Sequence, residues 1–346
     1  MSSSRNNSIA AHIIPESNAG VQGSVWQDAL SQGFSDLKGL LEHLQLDPDH
    51  ALSATRAQHQ FSLKVPREYA ALMDKGDPDD PLLRQILPCS EEMAEFPGFV
   101  ADPVGDLVAK QEPGLLHKYQ GRVLILATGA CAIHCRYCFR RHYPYQNGTA
   151  TPQQWQRILD YLKDQPSIKE VILSGGDPLM INDQRLSSML QQLQSLTQLK
   201  RLRLHSRLPV VLPQRITPAL LDLFRNTPLQ TVMVLHVNHP KELSPAVAEA
   251  CDLMKSSGIT LLNQSVLLKG VNDNADTLVE LSERLFEVGI MPYYIHLLDR
   301  VSGAAHFEVE EEILNHLKQQ LLHRLPGYLV PKMVREIAGE GSKTPF

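Results

Sequence analysis

The chain has 346 residues, 43% of them hydrophobic and 21% charged, with a formal net charge of −5 at pH 7. This composition fits a globular protein with a large core, one α/β domain plus a smaller N-terminal part. It excludes a nucleic-acid partner held by a block of basic residues, and no run approaches the ~20 apolar residues of a membrane span.

The first residues, Met1-Ser-Ser-Ser-Arg5-Asn-Asn-Ser8, lack the apolar stretch of a secretory leader. Five cysteines, three of them clustered, make no disulfide framework, so the expected compartment is cytoplasmic. Residues 1–110 read as a mainly helical, proline-rich N-terminal region. Helical apolar spacing covers 26–44, and short helical pieces cover 66–73 and 80–86 around the turn signals Gly76-Asp-Pro78 and Asp79-Asp-Pro81. Cys89 is expected to be a small apolar filler.

A regular pattern fills residues 111–335. Strands are expected at 123–128, 170–173, 201–204, 231–235, 260–268 and 293–297. Helices are expected at 151–164, 183–196, from 217, and at 244–256, 276–288 and 309–323. Thr151-Pro152, Thr217-Pro218 and Ser244-Pro245 supply N-caps followed by proline at the first helical position, and Gly258 and Gly289 supply stops. Cys251 falls on an apolar stripe with Val247, Ala250 and Met254 and is expected in the core. Six strands alternating with helices imply a parallel sheet with right-handed crossovers. Six units are fewer than the eight of a closed barrel, so the expected fold is a partial (β/α)6 barrel, open on one side.

Polar residues cluster just after the strands, where parallel α/β folds build their sites: Ser174-Gly-Gly-Asp177, His205-Ser-Arg207, His236-Val-Asn-His239, Asn263-Gln-Ser265 and Asp299-Arg300. The first strand is followed by Cys131-Ala-Ile-His-Cys135-Arg-Tyr-Cys138. Three thiolates at C-x3-C-x2-C can bind three irons of a cubane cluster and leave the fourth open to a substrate or cofactor. A structural zinc needs four ligands, and His134 inside the loop keeps that alternative open.

The cysteine spacing, the strand before it and Tyr137 before the last cysteine resemble the radical S-adenosylmethionine enzymes. That resemblance implies a [4Fe-4S] cluster on Cys131, Cys135 and Cys138. It also implies S-adenosyl-L-methionine on the open iron, cleaved by one electron from a donor to a 5′-deoxyadenosyl radical. Gly175, Gly176 and Asp177 match the motif that holds the methionine amino group, and His236 and Gln264 match further positions around that cofactor. Taken alone, the glycines also suit a tight turn or the close approach of a ligand.

The last eight residues, Gly339-Glu-Gly-Ser-Lys343-Thr-Pro-Phe346, read by composition as a solvated terminus. They are not a P-loop, since Ser342 stands where glycine is required. They resemble the pyridoxal-phosphate lysine segment of the lysine 2,3-aminomutases, which implies that Lys343 in a tail of residues 336–346 carries pyridoxal 5′-phosphate. The likeness runs from about Pro66 to Phe346. It implies that Tyr119 and Arg122 contact that cofactor, that Arg140 binds the substrate carboxylate, and that Asp299 and Glu336 bind a distal ammonium. Two acids favour a cationic side chain, because an unpaired buried carboxylate is costly. Glu336 departs from the aspartate of the family, and Glu340 and Ser342 interrupt the glycine run.

The implied activity is conversion of L-lysine to β-lysine by a radical mechanism through a pyridoxal phosphate aldimine. The chain stops three residues after Lys343, and this short form resembles the subgroup that makes β-lysine for modification of elongation factor P. Rival readings are an aminomutase for arginine or glutamate and a non-catalytic metal-binding scaffold. Product stereochemistry, reductant and oligomeric state are not legible in residue types.

Overall fold

The structure, a computed structural model, describes residues 25–47, 56–145 and 151–346. Its centre is one sheet whose strands follow chain order: β1 Lys110–Glu112, β2 Leu115–Tyr119, β3 Arg122–Thr128, β4 Glu170–Gly175, β5 Arg201–Ser206, β6 Gln230–Leu235, β7 Thr260–Val266, β8 Met291–His296, β9 Lys332–Arg335 and β10 Thr344–Pro345. Strands β3 to β9 pair in parallel, and antiparallel pairings add β1 and β2 at one edge and β10 at the other.

The six expected strands are β3 to β8, with β7 ending two residues early, at Val266. A seventh parallel strand, β9, and the edge strands β1, β2 and β10 were not expected. The tail is therefore not a frayed terminus. Thr344 pairs with Arg335, and Phe346 N–H donates to the Met333 carbonyl at 2.9 Å.

Six helices make the crossovers: Pro152–Lys163, Asp183–Gln194, Pro218–Arg225, Pro245–Ser256, Ala275–Glu287 and Glu311–Arg324. Their starts follow local chemistry. Thr151, Asn182, Thr217, Ser244 and Asn274 each accept a backbone N–H of the first turn through the side-chain oxygen. Their apolar faces bury Leu159, Leu190, Leu220, Cys251 and Leu285 in the main core, where Cys251 was expected.

The sheet is curled. Lys118 on β2 and Glu336 just past β9 form an ion pair at 3.0 Å. In a flat sheet, strands seven places apart lie about 34 Å from each other.

The apolar spacing over 26–44 resolves into two helices, Val25–Ser31 and Leu37–His43. They part at Gly33, where a Cβ would lie 2.8 Å from the Val65 carbonyl oxygen. The N-terminal helices share the main apolar cluster with the crossover helices. Their segment also grips the cysteine loop through Arg136, whose side chain is fully buried. Its Nε and Nη2 donate to Glu92 at 2.8 and 2.6 Å, and Nη1 donates to the Phe61 carbonyl at 2.7 Å. Arg141 donates to the same Glu92 carboxylate at 2.5 Å. Burial acts to raise the Glu92 pKa, and the bonds and charges of Arg136 and Arg141 outweigh it and hold the carboxyl below its ordinary range. Breaking such a pair leaves an uncompensated buried charge. Glu92→Gln is expected to destabilise the protein by about 3–5 kcal/mol in chemical denaturation.

Candidate active site

The cysteine loop follows β3, and its position is set by β4. The amide of Gly176 donates to the Thr128 carbonyl at 2.7 Å and that of Asp177 to the Ala130 carbonyl at 2.8 Å. Gly175 has φ +117°, and a Cβ there would lie 2.5 Å from the Thr128 oxygen; at Gly176 it would lie 2.3 Å from the Ala130 oxygen. The close approach that these glycines permit is thus by the cysteine loop itself. Asp177 likewise faces protein partners. It accepts from Ser206 Oγ at 2.8 Å, from the amides of Arg207 and Leu208 at 2.8 and 2.9 Å, and from that of Leu179 at 3.0 Å. It locks the end of β4 to the turn after β5.

Two of the three thiols resist ionisation in this setting. Burial first, then Cys138, Asp177 and Cys135, push Cys131 well above its ordinary range, and burial with Cys135 pushes Cys138 up to about 11. Iron bound to such thiols displaces their protons and removes the like-charge cost. Among the described residues no three His, Cys, Asp or Glu side chains converge to hold a metal ion. A cubane takes each thiolate on a different iron, so three cysteines spaced along one loop need not meet at a single point. The loop therefore fits a cluster.

Arg207, buried at 6% exposure, anchors the loop from behind. Its Nη1 donates to Cys135 Sγ at 2.7 Å and to Tyr137 Oη at 2.8 Å, and its Nη2 donates to Gln85 at 2.6 Å and Glu242 at 2.8 Å. Tyr137 Oη also meets His236 Nε2 at 2.8 Å. Burial, then Arg207, holds His236 well below the ordinary imidazole range, so it is neutral at pH 7. The strand-end cluster His205-Ser-Arg207 signalled this place, but Gln85 and Glu242 carry no local signal.

Inside the curl, the strands and the loops at their ends gather a second group. The chain of charges runs from Lys343 to Glu336 (2.9 Å), Glu336 to Lys118 (3.0 Å), Lys118 to Asp106 (2.6 Å) and Asp106 to Arg140 Nε (2.7 Å). Burial alone would raise Glu336, but Lys343 and Lys118 hold it down at about 2. Asp299 is the opposite case. Burial, then Glu336, pushes it up to about 7, and its Oδ1 is buried without a hydrogen-bond partner among the described residues. The Nε2 atoms of His205 and His296 are orphaned in the same way. Burial, then Lys343, holds His296 at about 3, and burial with Arg203 and Lys343 depresses His205. Buried polar atoms left without partners need one, and a polar ligand is one group that can supply it.

Arg122 lies over the Tyr119 ring at 4.5 Å, with the two residues paired across the β2–β3 turn. Lys343 lies 5.7 Å from the Tyr294 ring, and Tyr294 pairs in register with Gln264. The structure therefore brings Tyr119, Lys343, Glu336, Asp299 and Arg140 to one interior. Asp106, Lys118 and His296 join them without having been singled out by the sequence. The one local signal lies on β8, where His296 stands two residues past Tyr294 and so on the same face.

A model of the radical SAM superfamily matches residues 125–282. A protein of Escherichia coli (strain K12) named L-lysine 2,3-aminomutase is 48% identical over 93% of this chain and 94% of its own. The protein of that name from Haemophilus influenzae is 45% identical over 96% of this chain and 98% of its own. The one from Clostridium subterminale is 32% identical over 92% and 77%. The chain belongs to the L-lysine 2,3-aminomutase family. Membership of this radical SAM family implies a [4Fe-4S] cluster and S-adenosyl-L-methionine, and makes the chain an isomerase. Glycine at position 176 lets the cysteine loop close on β4. Gly176→Ala is expected to cost at least about 1–3 kcal/mol by overpacking. It is also expected to lower iron and labile sulfide content after anaerobic reconstitution, with far-UV circular dichroism unchanged.

Proposed function

We propose that this chain converts L-lysine to β-lysine. The observation that carries the reading is one interior holding an anchored lysine, Lys343, two carboxylates, Glu336 and Asp299, and a buried arginine, Arg140, two residues past Cys138. In this reading Cys131, Cys135 and Cys138 hold the cluster. Gly175, Gly176, Asp177, His236 and Gln264 surround S-adenosylmethionine, with the glycines and Asp177 acting by shaping the loop. Tyr119, Arg122 and Lys343 hold pyridoxal phosphate, a fit supported by the stacked guanidinium and the orphaned imidazoles beside Lys343. When bound, these groups supply a hydrogen-abstracting radical and a conjugated ring that delocalises unpaired spin.

The chain's own residues do the remaining work. Arg140 takes the substrate carboxylate through its planar fork. Asp299 offers an unpartnered oxygen to the side-chain ammonium. Glu336, engaged by Lys343 and Lys118, is the second acid and is freed in part when Lys343 moves away. The curled sheet encloses the site against water. The link from β-lysine to elongation factor P, a cytoplasmic setting and an external electron donor belong to the same reading. Five free cysteines, and no helix among the described residues long and apolar enough to cross a membrane, are consistent with it.

Anaerobic turnover of the reduced enzyme with L-lysine, followed by chiral product analysis, is expected to yield β-lysine. Formation of β-glutamate from glutamate, or of β-arginine from arginine, with no β-lysine would overturn the substrate. Lys343→Ala is expected to lose the visible absorbance of lysine-bound pyridoxal phosphate while keeping its iron.

A pH dependence also follows. Asp299 is protonated below about 7 and ionised above it, so L-lysine should bind more tightly as pH rises. The dissociation constant is expected to fall by about tenfold between pH 6 and 8, and in Asp299→Asn that dependence should flatten.

A further inference from the structure

The reading above gives Arg140 to the substrate carboxylate but leaves open what aims it. A guanidinium holds a carboxylate well only when its fork is fixed in the right plane, and a misplacement of about 1 Å can cost about a hundredfold. Arg140 is held by its Nε, which donates to Asp106 Oδ2 at 2.7 Å, and by Nη1, which donates to Ser174 Oγ at 3.2 Å. Its Nη2 makes no hydrogen bond among the described residues, and its guanidinium lies 4.6 Å from the Phe139 ring. The contact with Asp106 thus uses the inner nitrogen and leaves an outer edge for a ligand.

Asp106 is itself fixed. Its side chain is 2% exposed, its backbone amide donates to Asp102 at 2.9 Å, and its other oxygen is ion-paired with Lys118 at 2.6 Å. Burial acts to raise the Asp106 carboxyl, and Arg140 with Lys118 outweighs it. Lys118 in turn reaches Glu336 at 3.0 Å and the Val104 carbonyl at 2.8 Å. The arginine assigned to one end of the substrate and the carboxylate assigned to the other end are therefore joined by two intervening side chains of alternating charge.

We propose that Asp106, with Lys118 as its counter-ion, is a positioning residue that aims Arg140 at the carboxylate of the amino-acid substrate. The proposal rests on the assignment of Arg140 in the lysine aminomutase reading. Asp106 holds the guanidinium plane through Nε, so that the outer nitrogens meet the incoming carboxylate without first reorienting. Lys118 keeps Asp106 ionised and ties its place to Glu336. The separation between carboxylate and ammonium sites is thereby built into β2, the end of β9 and the segment before β1.

The test uses the reconstituted holoenzyme and two probes, L-lysine and 1,5-diaminopentane, which is lysine without its carboxylate. Asp106→Asn is expected to raise the KM for L-lysine about tenfold to a hundredfold with a much smaller change in kcat. The inhibition constant of the diamine should stay within about twofold of the unmodified enzyme. The charge-balanced double variant Asp106→Asn with Lys118→Met guards against misfolding of the single one. Because Lys118→Met also frees Glu336 at the ammonium end for both probes, its readout is the ratio of the two: the preference for lysine over the diamine is expected to fall as in the single variant. Equal weakening of both probes, or no weakening of lysine, in a folded variant overturns the proposal. Arg140→Gln separates it from the reading beneath. If that variant loses the preference for lysine over the diamine and the Asp106 variants keep it, only the positioning role fails. If Arg140→Gln also keeps the preference, the assignment of Arg140 fails with it.

Discussion

Charge inside a curled sheet is the constraint on which this structure depends. Glu336, Lys118, Asp106 and Arg140 lie in a largely dry interior, where each ion left alone would cost several kcal/mol. Alternation of sign, with every neighbour at 2.6–3.0 Å, makes that burial tolerable. The chain of pairs also joins β2 to the segment after β9, so the side chains that serve the site hold together the edges of a sheet that no backbone ladder closes. A well-packed apolar interior would be as stable or more so. The charged one is better explained by a zwitterionic guest, whose carboxylate and ammonium can exchange with charges of like sign already in place.

A second constraint is the contact between backbones at the cysteine loop. Ala130 and Thr128 lie so near Gly175 and Gly176 that no side chain fits between them. Asp177 ties β4 to the turn after β5, and Arg207 leaves that turn to reach Cys135. The loop, the glycine turn and the arginine form one continuous unit. It is gripped from outside by Glu92 through Arg136 and Arg141. Rigidity here would have a chemical use, since ligands held in a fixed arrangement would orient a cluster bound to them.

What the sequence discloses depends on whether the signal is local. The cysteine spacing, the Thr-Pro and Ser-Pro helix starts and the apolar strands lie within a few residues of one another, and the core of the sheet follows from them. The edges do not. Lys110–Glu112 has no apolar residue, Lys332–Arg335 is four residues long, and Thr344–Pro345 is two residues with a proline. Each becomes a strand only because a neighbour is already there to pair with. The site divides in the same way. Cys131, Lys343 and Asp299 stand out by pattern, whereas Arg207 meets Cys135 from 72 residues away and Lys118 meets Glu336 from 218. Gly175 and Gly176 were legible as a place of close approach, and the structure shows the cysteine loop approaching them.

In the proposed role of Lys343, the C-terminal segment would have to hold that residue in place and yet let it leave a covalent partner and return. Two devices in the structure serve these opposed demands. After Lys343 the chain is tied down: β10 pairs with β9, the Phe346 carbonyl accepts from Lys318 at 2.6 Å, and the Phe346 ring packs on the cluster around Leu314 and Leu317. Before Lys343 it is loose, because Gly339 and Gly341 have no neighbour within 4 Å of a built Cβ. The loop between Glu336 and Lys343 is thus the less tied part of the segment. Glu336, at the start of that loop, faces Lys343 at its end, so a departing amine has a counter-charge within reach. Replacing the aspartate expected in the family by glutamate lengthens that reach by one methylene. In a site organised by ion pairs, with Glu336 held between Lys343 and Lys118, that longer reach would bear on which ammonium the carboxylate can follow.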